Sequence, residues 1–209
     1  MGMHEYELGL IDVSLDYLEI GYEDCVMAEL GNQRIRHLPN YWDRAVWPGG
    51  GKDGIIKGSS KYYHTSLGAR HDSFDWNGKD AAIAVDMSKP IDKKYTGAYN
   101  LVTNFGNTEH CGGPDKQYCV FNNLDIFCCQ GGVMVHNVPH TGNWPGHGDV
   151  WYTVNFFKEL AKIYKYDILA LEIQTRRGNI HPDDLEQGTH NAAPTDAAGN
   201  LIADGSLQD

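Results

Sequence analysis

Short apolar runs that each stop at a polar residue and alternate with segments of helical periodicity set the limits on how this chain folds. Cys25-Val26-Met27-Ala28 lies between Asp24 and Gly31. Residues 81–85 stop at Asp86 and residues 99–103 at Asn104-Phe105-Gly106, and residues 71–74, more polar, are a further strand candidate that ends at Asp75. Val133-Met134-Val135 runs into His136 and Pro139, and residues 166–173 read as a last strand. Each has the length and punctuation of a buried strand. Between them, Ile11, Leu15, Leu18 and Tyr22 share a helical stripe, and Tyr63 and Leu67 mark a short helix over 60–67. Residues 114–129 open on Pro114, place Tyr118, Phe121, Leu124 and Cys128 on one face, and end at Gly131-Gly132. Residues 151–164 carry Phe156, Leu160 and Ile163 on one stripe with Lys158 and Lys162 off it.

Strands alternating with helices predict an α/β domain with a mostly parallel sheet and helices on both faces. Right-handed crossovers then bring every strand end to one edge. Ligands of such sheets bind outside the carboxyl ends of the strands, where strand order reverses. The polar strand ends are therefore the candidate site.

The 209 residues suit one domain over 1–175, with an irregular segment about 36–58 and a tail from 176 to 209. Pro39, Pro48 and Gly49-Gly50-Gly51 break regular structure in the irregular segment, which reads as a lid carrying Trp42 and Trp47 or as a disordered insertion. The net charge of −11 argues against a nucleic-acid partner. Much of that charge belongs to the tail. After Arg177 there are six acids and no Lys or Arg, which leaves 17 basic against 22 acidic side chains, or −5, in the rest. No apolar run approaches the about 18 residues that would span a membrane. The first ten residues lack the layout of a secretory signal. Five cysteines, odd in number and without a CxxC, predict reduced thiols in a cytoplasmic protein rather than a disulfide framework or a zinc site.

Four strand ends carry the chemistry. Asp75, with Trp76 and Asn77, suits a carboxylate that accepts two ribose hydroxyls. Asp86 and Met87 suit an adenine, one for its amine and one for its ring. Glu29, Gly31 and Asn32 offer an acceptor and a close backbone approach for an amino-acid moiety. Asn104 and Phe105 close the fourth strand.

Ala28-Glu29-Leu30-Gly31-Asn32-Gln33 resembles the first motif of class I S-adenosylmethionine-dependent methyltransferases. Asp75 looks like the acid closing their second strand, and residues 81–90, AAIAVDMSKP, look like their third strand and its loop. Residues 101–110, LVTNFGNTEH, together with 136–148, are similar to stretches found in one branch of the family. The resemblance covers about residues 24–173. It implies a Rossmann-like sheet, bound S-adenosylmethionine and methyl transfer. Two features depart from the pattern. Gly31 is the one glycine of the first motif, and the antiparallel hairpin that ends the family's sheet has a first strand at 166–173 but only Leu201-Ile202-Ala203 as an apolar run after residue 178.

His110, His136, His140 and His147 gather near the expected site. Histidine serves as a base near neutral pH and as a metal ligand. As a base, His110 or His136 takes a proton from the acceptor, Glu109 orients an imidazole, and Asn104 and His140 position the acceptor. As a metal site, His136, His140 and His147 would act with Glu109, although in a Gly- and Pro-rich loop rather than on a helix. The expected acceptor is a small molecule or a glycan, oxygen favoured over nitrogen, with Trp144 and Trp151 either stacking on it or lying in the core. A non-catalytic binding or assembly module on the same fold and a metal-dependent hydrolase are the competing readings.

Overall fold

The structure is a computed structural model that describes residues 2–3, 5–31, 33–35, 58–79, 81–140, 147–175 and 178–180. The expected insertion up to residue 57, Trp42, Trp47, Trp144 and Leu201-Ile202-Ala203 lie outside the described residues. The chain divides into two compact units, Met1–Asn137 and Val138–Asp209. No helix among the described residues is long and apolar enough to cross a membrane.

The first unit is built on five parallel strands. They are β2 (Val26–Leu30), β5 (Arg70–Asp75), β6 (Ile83–Ala84), β7 (Tyr99–Phe105) and β8 (Cys128–Asn137), in the spatial order β6-β5-β2-β7-β8. In chain order this is 3-2-1-4-5, the doubly wound arrangement, and the sheet is Rossmann-like. Strand order reverses at β2, which pairs with β5 on one side and β7 on the other. A three-stranded sheet of β1 (Gly2–Met3), β3 (Arg34–Ile35) and β4 (Gly58–Ser59) accompanies it.

Register rows separate the two faces. Met27 is level with His71 and Leu101, and Leu101 with Val133. Met27, Leu101 and Val133 share a core with Leu8, Ile11 and Leu15 of α1 (Glu5–Leu18) and Tyr63 of α2 (Ser60–Ser66). The opposite face carries Phe74, whose ring stacks 4.5 Å from that of Phe127 in α3 (Pro114–Phe127). Helices therefore cover both faces, as the alternation predicts. Burying these side chains is the main stabilising contribution, about 2 kcal/mol for each large apolar one.

Several local expectations are corrected. Helix α1 begins six residues earlier than the stripe from Ile11, and Tyr22 falls in a separate 3-10 turn, Tyr22–Asp24. Strand β6 keeps only two residues of the expected 81–85, since Ala81 adopts φ 63° and leaves extended geometry. Tyr118 is 76% exposed, and α3 turns Val120, Phe121, Leu124 and Phe127 inward with Gln117 and Asn123. Gly131-Gly132 does not end α3. The pair lies inside β8, where the register with β7 shifts between Tyr99 and Leu101. A Cβ on Gly132 would stand 2.8 Å from Cys128 Sγ and 3.0 Å from the Asn100 carbonyl, so the irregular strand needs glycine there.

In the second unit, α4 (Val154–Tyr164) is capped by the Thr153 hydroxyl, which accepts from the Phe156 amide at 3.1 Å, and ends at Lys165 with φ 61°. Ile163, expected on its buried stripe, is 70% exposed. Residues 166–173 are not a strand. Ile168 and Leu169 are exposed, and pairing begins only at Ile173, in β9 (Ile173–Thr175) against antiparallel β10 (Gly178–Ile180). This hairpin is a sheet of its own.

Candidate functional site

The reversal point gathers the ends of β2, β7 and β5. Leu30 is level with Phe74 on one side and Asn104 on the other. At the end of β2 the chain turns at Gly31, with φ 73°, and its amide donates to the Phe74 carbonyl at 2.7 Å. Strand β3 follows at Arg34, so a strand rather than a helix succeeds the first turn. A Cβ at Gly31 would stand 2.5 Å from Nδ2 of Asn107, so φ asks for glycine and any larger residue would also have to displace the Asn107 amide. Asn32 lies outside the described residues.

Glu29 is fully buried, and its carboxylate is engaged within the protein. It accepts from the Gln33 amide at 2.9 Å, from the Ser60 hydroxyl, and from Nε2 of His71 at 2.9 Å. Gln33 sends Nε2 to the Phe105 carbonyl at 2.8 Å and tethers the loop after β2 to the end of β7. His64 stacks on His71 with centroids 5.5 Å apart, and neither ring nitrogen of His64 has a hydrogen-bond partner. Burial and the adjacent His71 hold its pKa well below the usual 6.5. Sequence reasoning places Gln33 in the first motif beside Glu29 but gives it no role, and it does not connect Ser60, His64 or His71 with Glu29, because no motif spacing relates them.

At the end of β5, Asp75 is half-buried and accepts from the Asn77 amide at 3.0 Å, and Asn77 accepts from the Lys79 amide at 2.7 Å. Trp76 is 81% exposed. Asp86 takes the amide and hydroxyl of Ser88 and pairs with Lys89 at 2.9 Å. The Ser88 and Lys89 hydrogen bonds bring its pKa down to about 2. Met87 is buried, and its carbonyl accepts from Asn123 at 2.9 Å. Asp75 and Trp76 thus stand at the strand-end edge, while Asp86 and Met87 serve the turn beyond β6.

Beyond β7 a 3-10 turn, Thr108–His110, is anchored by Asn104. The buried Asn104 side chain accepts the Thr108 amide at 3.2 Å and donates to the Thr108 hydroxyl at 2.9 Å. That orientation makes Nδ2 the donor toward Nδ1 of His136, 3.2 Å away on β8. His136 is accordingly neutral with its proton on Nε2, and burial pushes its pKa down to about 4. Phe121 lies 5.7 Å from its ring. Glu109, fully buried on the same turn, has its pKa pushed up to about 7 by burial. His110 is partly exposed, with Nε2 3.7 Å from Glu109 Oε1. Phe105, at the end of β7, belongs to the core.

His140 and His147 belong to the second unit, where His140 forms an isolated parallel bridge with Tyr152. A groove of about 640 Å³ in that unit is lined by Lys158, Lys162, Lys165 and Tyr166 among others, and by none of the candidate residues.

Comparisons of the chain with protein-family models, with curated proteins and with solved structures find no significant match.

Proposed function

We propose that the first unit binds S-adenosylmethionine at the reversal point and transfers its methyl group to a hydroxyl of a small molecule or glycan. The observation that carries the reading is the 3-2-1-4-5 parallel order combined with a first turn, at Gly31, that is followed by strand β3. Dinucleotide sites of this fold seat a pyrophosphate on the helix that opens after the first strand. Here that turn leads to a strand, and a buried carboxylate lies beneath it, which favours a nucleoside ligand without phosphates.

The residues fit such a ligand in part. Asp75 has the right place for the ribose hydroxyls, and exposed Trp76 has a face for the adenine. Gly31 allows close approach of the backbone. Glu29, Asn104 and Phe105 support the site from within. The bound sulfonium supplies an activated methyl group, so the protein's own task is alignment and removal of a proton.

The histidines divide that task. His136, neutral and accepting from Asn104, presents Nε2–H and acts as a donor that holds the acceptor oxygen. His110 is the base, on a turn fixed by Asn104 and Thr108. Glu109 beside it stabilises the imidazolium formed when the proton arrives. The hydrolase reading is less well supported, because with Asn104 donating to Nδ1 the proton of His136 sits on Nε2, which then offers no lone pair to a metal.

S-adenosylhomocysteine should raise the melting temperature of the protein, since a ligand of the native state stabilises it. Asp75→Ala should abolish the shift without unfolding the chain. Absence of any shift in the wild-type protein rules out the proposal. A shift without transfer of labelled methyl to any hydroxyl acceptor favours the binding-module reading.

A further inference from the structure

The carboxylate at the end of the first strand is the natural candidate to touch the ligand, yet its surroundings assign it other work. Glu29 is fully buried in the middle strand, flanked in its register rows by the small side chains of Ser73 and Thr103. Three donors from three separate segments converge on it. They are the Gln33 amide in the loop after β2, the Ser60 hydroxyl at the start of α2, and His71 Nε2 in β5.

Gln33 is the common element. Its amide goes to Glu29, its carbonyl accepts from the Ser60 amide at 2.9 Å, and its side-chain Nε2 reaches the Phe105 carbonyl at 2.8 Å. Both backbone polar groups and the side chain are engaged, and Gln33 is 4% exposed. The last of these bonds crosses from the loop of β2 to the end of β7, the two strands that bound the reversal point. A glycine-rich turn would leave this span open. Here a long amide closes it, and the carboxylate fixes where that amide sits.

We infer that Glu29 is a positioning residue that never contacts the ligand. With Ser60 and His71 it holds Gln33, and Gln33 sets the spacing between the ends of β2 and β7. The ligand half of this inference rests on the cofactor reading above, whereas the hold on Gln33 does not. A carboxylate with three buried donors gives a rigid anchor, because losing any one partner leaves buried polar groups unmatched.

The variants differ in what they preserve. Glu29→Ala removes all three acceptor bonds. Glu29→Gln keeps an oxygen for Gln33 and Ser60 but turns an NH2 toward His71. That ring must then accept at Nε2 and carry its proton on Nδ1, which has no partner. Ser60→Ala removes one donor from a residue whose side chain is directed at Glu29. It remains informative should Glu29→Ala fail to fold.

The experiment measures two quantities on the full chain. One is amide hydrogen exchange at Gln33 by NMR, and the other is affinity for S-adenosylhomocysteine by calorimetry on folded protein. Ser60→Ala and Glu29→Ala should each speed Gln33 exchange at least tenfold and weaken binding at least fivefold. Glu29→Gln should fall between wild type and Glu29→Ala in both. Loss of affinity in the Glu29 variants with unchanged Gln33 exchange would make Glu29 a direct ligand and overturn the inference. Faster exchange with full affinity would overturn it as well. If the wild-type protein binds no S-adenosylhomocysteine while exchange responds as expected, the cofactor reading falls and the hold on Gln33 stands.

Discussion

The imidazole of His64 lies parallel to that of His71, 5.5 Å away with the planes 8° apart, and both of its nitrogens are buried without a hydrogen-bond partner. A proton on His64 would sit in the core beside Tyr22 and Tyr63, with His71 against its face. The folded state therefore holds its pKa well below the usual 6.5. His136 shifts in the same direction, to about 4, through burial. In both cases the unfolded chain binds protons that the folded chain refuses. Stability is complete above the unfolded value of 6.5 and falls as pH drops below it. Each histidine contributes a slope of up to about 1.4 kcal/mol per pH unit. Replacing His64 with Phe keeps the stack and removes one proton from the balance. Urea midpoints between pH 7 and pH 5 should fall less steeply in His64→Phe than in the wild-type protein.

Glu109 acts with the opposite sign. Its pKa rises from 4.5 unfolded to about 7 folded because its carboxyl is buried. The folded state then holds a proton that the unfolded chain releases, so this group's contribution is lost as pH rises from about 4.5 to 7. Between those limits it offsets one of the two histidines. Glu109→Gln removes the offset. The variant should gain up to about 3 kcal/mol at pH 8, where the wild-type carboxylate is charged and buried. Its acid limb should also steepen by about one proton. Thermal melts across pH 5 to 8 check both, and parallel curves for the two proteins would refute the assignment. Under the proposed function, the same variant loses the charge that stabilises His110 in its protonated form, so methyl transfer should slow while stability rises.

Much of this arrangement is legible in the chain, and the limits have physical causes. Strands β2 and β7 are found with their ends nearly correct, because each apolar run stops where the backbone must turn at the sheet edge, whereas β5, with Phe74 as its one apolar residue, is marked mainly by the stop at Asp75. Strand order follows from alternation only as a class, since the sequence does not say which neighbour a strand takes. Helix α3 is read correctly at Phe121 and Leu124 but misread on the rest of its inward face. Gln117 and Asn123 are buried there because they satisfy backbone carbonyls, Gln117 those of Thr108 and Gly112 and Asn123 those of Met87 and Lys89. Apolar periodicity is blind to such residues. The Gly131-Gly132 pair reads as a helix stop but serves a bulged strand, and both roles ask for the same residue. The anchor at Glu29 joins partners 4, 31 and 42 residues away, and no local pattern carries that information.

Gly31 offers a direct test of the turn that opens the site. Its φ of 73° strains any residue with a Cβ, and a Cβ there would stand 2.5 Å from Asn107 Nδ2. Gly31→Ala should cost about 1–3 kcal/mol. Asn107→Ala removes the clash but not the backbone strain. The double variant Gly31→Ala/Asn107→Ala should therefore recover only part of the loss, relative to Asn107→Ala alone. A double-mutant cycle of urea midpoints measures the share. Full recovery would assign the requirement for glycine to space and none of it to φ.

Asn104 decides which nitrogen of His136 carries the proton. Its Oδ1 is fixed by the Thr108 amide, so its Nδ2 must donate to His136 Nδ1. Asn104→Asp exchanges that donor for an acceptor. Two acceptors would then face each other across about the same gap, and the histidine answers by taking a proton at Nδ1. The charged imidazole beside a carboxylate reverses the effect of burial. In the wild-type protein, ring-carbon NMR shifts of His136 should stay those of the neutral Nε2–H form down to about pH 4, where burial places its pKa. In Asn104→Asp the same signals should titrate well above that value. The proposed donor role would survive, since Nε2 keeps its proton, and the turn at Thr108 would hold, since its hydroxyl can rotate to donate to the new carboxylate. Turnover should therefore change far less than the His136 titration. An unchanged His136 titration in Asn104→Asp would mean that the ring is oriented by something other than Asn104, and the division of labour between the two histidines would have to be reversed.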